Sequence, residues 1–291
     1  MADGSLKTIA ARRAKTSERR EASRDRDAAR YRLAGELAAE AELEIRPDAG
    51  FLLEPPGTVP GADDVVTAAN ALIDGIGHEE LVSRATKDAF MAQGFLPADD
   101  LGLDSPYMRF VLSEQVVAPV AKYLGIVPVL HLVDLWYSFH GSEPPTSSQR
   151  WHLDSGDTTQ VKVWIHCSDV VPESGPLTVI DAATSEEIAE RIDYNFGKGH
   201  RVPDERVDEI AGPAITPLEG PAGTTHFVDT SRCFHFGSRV AEGGAPRRVF
   251  VAQYLTPYAF RFKANHLERA PYRELAHGGS SELERLLLGA A

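Results

Sequence analysis

VPVLHLVDLWYSF, residues 127–139, is where the chain changes texture. Upstream, through Gly125, apolar residues recur at helical spacing. From Val127 onward, short β-branched or aromatic runs alternate with turn residues: TTQVKVWIHCSDV (158–170), GPLTVI (175–180), GTTHFVD (223–229) and RRVFVAQYLT (247–256). Strands this short and this dense predict an antiparallel sandwich or barrel, closed or doubled to hide its edges. One long excursion interrupts them, roughly 183–213, reading as helical or irregular, with Thr184 and Glu187 at capping-box spacing. An excursion of that length between strands points to a working part, such as a cover over a site.

The preceding half reads as helical. Leu33, Leu37, Ala41 and Ile45 recur every four residues, predicting an amphipathic helix from about 25 to 45, ended by Pro47. The Pro- and Gly-rich stretch 47–61 predicts a loop, and helices are expected around 62–74 and 78–92. Ser105 has the character of an N-cap with Pro106 at the first helical position; Pro119 should kink or restart that helix before Gly125 closes it. Residues 1–24 are basic with little periodicity, the pattern of a flexible arm. The expected organisation is a single domain over 25–291, of class α+β, with helices over 25–125 feeding a β core over about 126–262.

The 291 residues are 43% hydrophobic and 25% charged, an ordinary globular balance. No window approaches eighteen consecutive apolar residues, and no apolar stretch follows the basic N-terminal residues, so neither a membrane span nor a secretory signal is expected. Residues 1–32 hold ten Lys and Arg against five acids, yet the whole chain carries −13. An acidic body argues against nucleic acid or a membrane surface as partner and leaves a small molecule as the expected one, with a homo-oligomer compatible. Cys167 and Cys233 form no CxxC pair and read as small buried residues in a reduced, cytoplasmic setting.

QRWHLD, residues 149–154, opens the β-rich half. On a strand, i and i+2 share a face, so His152 and Asp154 aim an imidazole and a carboxylate at one point while Leu153 turns away. Two such ligands cover one edge of a metal. Four histidines downstream, within the predicted strands or their excursion, could supply a third: His166, His200, His226 and His235. His235 stands near a predicted strand end, whereas the competing His226 sits inside a predicted strand. Two histidines and one carboxylate leave open positions for an oxo-acid and O₂. An arginine on the next strand would match a carboxylate with its planar fork. His166 shares its strand face with Trp164 and Lys162, so that face is polar where a plain core would not be.

The ordered series Q-x-W-H-x-D, SDVVPESGPLTVI, GPAGTTHFVDT with a later His, and PRR opening a strand resembles the phytanoyl-CoA dioxygenase family of Fe(II)/2-oxoglutarate oxygenases. The similarity runs from about Leu130 to Pro257. It implies a double-stranded β-helix (jelly-roll, cupin-like) core and iron ligation by His152, Asp154 and His235. It also implies Arg247 as the anchor of the distal carboxylate of 2-oxoglutarate, with Arg248 next should the register slip by one. Trp164 matches an aromatic of the family pocket; Gln149 and Tyr137 match positions that face cosubstrate or substrate. The implied reaction consumes O₂ and 2-oxoglutarate, hydroxylates an unactivated C–H bond and releases succinate and CO₂. Related halogenases carry a small residue where this chain has Asp154, which favours hydroxylation. The chain departs from the family at IDAATS (180–185), where members often have Pro-Gly-Ser-His, so the resemblance carries no substrate with it. Two other readings of these residues are a non-catalytic jelly-roll binding protein and an enzyme of the same fold using another metal without 2-oxoglutarate.

Overall fold

A computed structural model describes residues 6–85, 90–141, 144–197, 200–262 and 267–291. Its strands are β1 (Phe51–Glu54), β2 (Met91–Ala92), β3 (Val129–Ser138), β4 (Gln160–His166), β5 (Leu177–Ile180), β6 (Ile215–Leu218), β7 (Thr225–Val228), β8 (His235–Phe236) and β9 (Arg247–Leu255). Six of them form one antiparallel sheet in the order β1-β7-β4-β9-β3-β2, and three form a second in the order β6-β5-β8.

The two-residue period of β4 explains the layering. Val161, Val163 and Ile165 turn one way, into a large apolar cluster with Phe250, Ala252 and Tyr254 of β9 and with the helices. Trp164 turns the other way and packs with Val249 and Val251 of β9, Val228 of β7, and Leu177, Val179 and Leu218 of the small sheet. The larger sheet therefore has an outer face covered by helices and an inner face opposed to the second sheet. In an antiparallel ladder directly opposed residues share a face, so the pairs Trp164↔Val251, His166↔Val249, Trp136↔Val249 and Ser138↔Arg247 belong to the inner one.

The helices are α1 (Ile9–Ser23), α2 (Ala28–Glu40), α3 (Ala62–Asp74), α4 (His78–Ser83), α5 (Pro106–Leu112), α6 (Glu114–Leu124), α7 (Ala182–Arg191), α8 (Glu205–Ala211) and α9 (Glu282–Leu287). Ser105 caps α5 as expected, its hydroxyl accepting from Met108 N–H, and Gly125 closes α6 in the left-handed region (φ 67°). The restart falls at Ser113, six residues before Pro119, and α6 runs through that proline.

Several sequence expectations are corrected. Residues 9–23, expected as part of a flexible arm, form α1, whose periodicity lies in arginines rather than apolar residues. Arg12 is buried between the rings of Phe196 and Phe260 and donates to the Ser155 carbonyl, while Arg19 donates to the carbonyls of Tyr258 and Ala259. Long cationic stems that bury their methylenes do not register as a hydrophobic stripe. Helix α2 ends at Glu40, where Ala41 turns extended (ψ 114°); Ile45 is buried, but beyond the helix. The expected loop 47–61 contains β1, paired to β7. The helix expected over 78–92 stops at Ser83 and gives way to β2, with 86–89 outside the described residues. The cap of α7 lies three residues before the predicted one: Asp181 accepts from Thr184 N–H.

The excursion 183–213 is not a solvated insertion. Its Ile188, Tyr194, Val202 and Val207 are buried together with Trp151, Leu153 and Phe234, so it packs behind the segment that carries His152 and Asp154, which forms isolated bridges at Trp151 and His152 rather than the expected strand. Positions 198 and 199 within it lie outside the described residues. No helix among the described residues is long and apolar enough to cross a membrane.

Candidate metal centre

His152 and His235 are held by one antiparallel bridge, each backbone N–H donating to the other's carbonyl at 3.1 Å, so their rings stand with centroids 4.2 Å apart. His152 Nδ1 donates to the Arg150 carbonyl (2.8 Å) and His235 Nδ1 to the Cys233 carbonyl (3.0 Å). Both Nε2 atoms are thereby left as acceptors, the tautomer a metal-binding imidazole needs. Asp154 is tied by its N–H to the Thr230 carbonyl (2.7 Å). One ligand atom from each of the three residues lies within 4.8 Å of the others, the sole such His/Cys/Asp/Glu group of three or more among the described residues.

Electrostatics agree with the geometry. Burial, reinforced by the neighbouring His235, holds His152 well below the usual histidine range, and burial takes His235 down to about 4. Burial pushes Asp154 upward, but the net effect is downward, above all through the Lys162 ammonium 2.7 Å from Oδ2, so the carboxylate is ionised. Two neutral imidazoles and one carboxylate are what a divalent transition metal accepts without first displacing protons.

The predicted site residues separate by strand parity. Arg247 is buried on the inner face and shares a cavity of about 180 Å³ with the triad, Trp136, Lys162 and Trp164. One of its terminal nitrogens donates to Ser238 Oγ (2.9 Å), its Nε–H has no partner, and burial alone depresses its pKa to about 10. Arg248 faces outward to Asp74 (2.6 Å) and Asn70 (3.2 Å). Tyr137, opposite Arg248 in register, also lies on the outer face and contacts His78 Nδ1 at 2.7 Å; it is not in the metal cavity, a correction to its expected role. Gln149 does not line the cavity either. It holds the loop behind it, donating to the Ser238 carbonyl (2.9 Å) and accepting from Thr146 N–H (3.1 Å). His226, the competing third ligand, pairs instead with His166, Nε2 to Nε2 at 2.6 Å, and His200 contacts the Gly197 carbonyl in the excursion.

Residues that sequence reasoning left without a role now have a place. Trp136 and Ser138 share Arg247's face; Ser238 braces that arginine; Lys162 bonds Asp154; Arg201 brings the excursion to the cavity wall. The parity of β3 was the missing signal, since Trp136 and Tyr137 look equally suitable until the register is known.

Four buried neutral histidines make acid the weak side of this fold. Burial depresses His152, His166, His226 and His235, so the unfolded chain binds protons that the folded one refuses as pH falls from about 6.5 toward 4. Asp157 and Asp229, raised by burial to about 6 and about 7, act in the opposite sense, as do Asp134 and Asp208, whereas His131 is lowered by burial and adds to the four; among the described residues His152 and His226, well below their ordinary value, tip the balance across this window. Metal-free protein is expected to lose stability across pH 6.5 to 4.5, each net proton contributing about 1.4 kcal/mol per pH unit. Urea denaturation midpoints at half-unit intervals check this; a flat profile contradicts it.

Neither a protein-family model nor a curated protein matches the sequence. Solved structures do match at the level of fold. The non-heme alpha ketoglutarate dependent epimerase SnoN from nogalamycin biosynthesis gives a TM-score of 0.50 at 19% identity, over 77% of this chain and 83% of that one. Its complex with Fe³⁺, alpha ketoglutarate and nogalamycin RO gives 0.50 at 19%, over 86% and 92%. EctD from S. alaskensis gives 0.46 at 16%, over 72% and 74%. The chain shares the overall fold of SnoN.

Proposed function

We propose that this protein is an Fe(II)- and 2-oxoglutarate-dependent oxygenase that hydroxylates an unactivated C–H bond of a small molecule. Arg247 carries the reading. Its guanidinium is buried, has no acidic partner among the described residues, keeps an unbonded Nε–H, and opens on the same cavity as the triad. An arginine removed from water without a counter-anion costs several kcal/mol, which a bound carboxylate offsets. The distal carboxylate of 2-oxoglutarate is that anion.

His152, His235 and Asp154 would hold the iron, and Arg247, braced by Ser238, would orient the cosubstrate against the Trp164 wall. When bound, iron and 2-oxoglutarate supply the oxidising power for C–H cleavage, with release of succinate and CO₂. The chain fixes geometry: the backbone bridge sets the two imidazoles, their Nδ1 bonds set the tautomers, and the indoles keep bulk water from the cavity. The facing sheets are read as the two halves of a double-stranded β-helix, and 25–291 as one domain. Isothermal titration of 2-oxoglutarate into Mn(II)-loaded protein, with succinate release from the Fe(II) form in air, tests the assignment. Absence of both would sink it and leave a jelly-roll binding protein.

The excursion 183–213 is assigned as a cover over the substrate. Arg201 stands in the cavity wall, and Tyr194, whose hydroxyl accepts from Leu153 N–H (3.1 Å), ties the excursion to the segment between His152 and Asp154. Arg201→Ala is expected to leave Mn(II) and 2-oxoglutarate binding near wild type. It should raise the consumption of 2-oxoglutarate that no product matches, because the site is less shielded. Unchanged coupling in that variant removes the cover assignment.

A further inference from the structure

The two oxygens of Asp154 are not equivalent. Oδ1 faces His152, 3.9 Å from its Nε2. Oδ2 is taken by two donors, Lys162 Nζ at 2.7 Å and Gln160 Nε2 at 3.1 Å. Gln160 is fully buried, and its amide is fully engaged: Nε2 also donates to Thr230 Oγ1 (2.7 Å), and Oε1 accepts from Gln253 Nε2 (3.0 Å). Gln253 Oε1 in turn lies 3.0 Å from His131 Nδ1, which must be the donor because the amide oxygen can only accept. Every donor in this chain points toward Asp154, so the amide orientations are fixed by the network.

The fold places these groups deliberately. Gln160 and Lys162 are i and i+2 on β4, and Gln253 is the β9 partner of Lys162. His131 stands at the register shift of β3, between Leu130 and Leu132, and its ring meets Gln253 there. A bulge is a common means of re-aiming one side chain. Lys162 itself is nearly buried and rests between the rings of Trp136 (5.6 Å) and Trp164 (5.7 Å), so its ammonium cannot wander from Oδ2.

We propose that Lys162 and the Gln160–Gln253–His131 chain are positioning residues that hold Asp154 to the metal through Oδ1 alone, which keeps open the positions that the cosubstrate and O₂ require. The inference rests on the iron reading above. A carboxylate with an unengaged second oxygen readily takes a second coordination position. An ammonium and an amide on that oxygen make the closure costly, since both charge-assisted bonds would have to break.

The test uses Mn(II) alone as probe, in the full-length protein, with affinity read by electron paramagnetic resonance and metal-bound water by proton relaxation. In Lys162→Met, Mn(II) should bind at least as tightly as in wild type, because a repelling cation has gone and Oδ2 is available. Relaxivity per bound metal should fall by about a third, as one of about three open positions closes. Affinity of the Mn(II) form for 2-oxoglutarate should drop by about tenfold, the lower range for a partner of a ligand. Lys162→Arg should restore wild-type relaxivity, and Gln253→Leu, which does not touch Asp154, should move all three quantities the same way by less. Two results overturn the proposal: unchanged relaxivity in Lys162→Met and Gln253→Leu, or metal and cosubstrate affinities falling together with the melting temperature. Wild-type protein that takes up no Mn(II) would instead overturn the metal reading itself.

Discussion

His235→Ala, like His152→Ala and Asp154→Ala, is expected to bind Fe(II) too weakly to support turnover. A group that orients a histidine ligand and raises its basicity is worth about 10- to 100-fold in metal affinity, so loss of one of three ligands should exceed about 100-fold. The fold should survive the histidine changes. Each removes a neutral imidazole whose ring hydrogen bond goes to a backbone carbonyl, a loss of about 1–3 kcal/mol. Asp154→Ala should be the least stable of the three, because it leaves the nearly buried Lys162 ammonium without its carboxylate. His226→Ala is the control: its ring meets His166 rather than the triad, so Fe(II) affinity should be unchanged. Equilibrium dialysis against Fe(II) under nitrogen decides the matter, and metal loss in His226→Ala with retention in His235→Ala would mean that the wrong distal ligand was chosen.

What could be read in advance followed from the two-residue period of strands. His152 and Asp154, i and i+2, do converge on one point, although their segment is bridged only at Trp151 and His152 and forms no strand, and Trp164 and Lys162 share a face of β4 by the same spacing. Such reasoning works within one strand and fails between strands, since relative parity depends on register. Tyr137 was misplaced and Trp136 overlooked on that account, although a single-residue shift in β3 exchanges them. Ser238, which braces Arg247, lies in the irregular segment after β8 with φ 63°, where no periodicity exists to announce it. The hydrogen-bonded row from Asp154 to His131 crosses three strands and depends on an irregularity in β3, so no local pattern contains it. Helix α1 was missed for a different reason: its burial is carried by arginine stems and cation–π contacts with Phe196 and Phe260, which hydrophobicity counts as polar.

Arg247→Gln should raise the dissociation constant for 2-oxoglutarate by well over tenfold while leaving Fe(II) affinity intact. The arginine is buried and bonded through one terminal nitrogen to Ser238, with no acid to compete for it among the described residues. Removing the cation from a buried arginine–carboxylate pair strands the carboxylate, at a cost of about 2–5 kcal/mol. Lysine should rescue only part of the loss, since a point charge on a flexible stem does not reproduce the planar two-nitrogen fork. Arg248→Gln is the matched comparison one residue along the same strand. Its side chain is partly exposed and pairs with a largely exposed Asp74, a contact worth about 0–1 kcal/mol in stability. It faces the helical layer and not the cavity, so cosubstrate affinity should not respond. Titration of 2-oxoglutarate into both Mn(II)-loaded variants tests strand register and chemistry together: a loss in Arg248→Gln alone would place the inner face of β9 one residue out of step. A loss in neither would leave the buried guanidinium of Arg247 without the anion that its burial calls for, and the oxygenase reading without its main support.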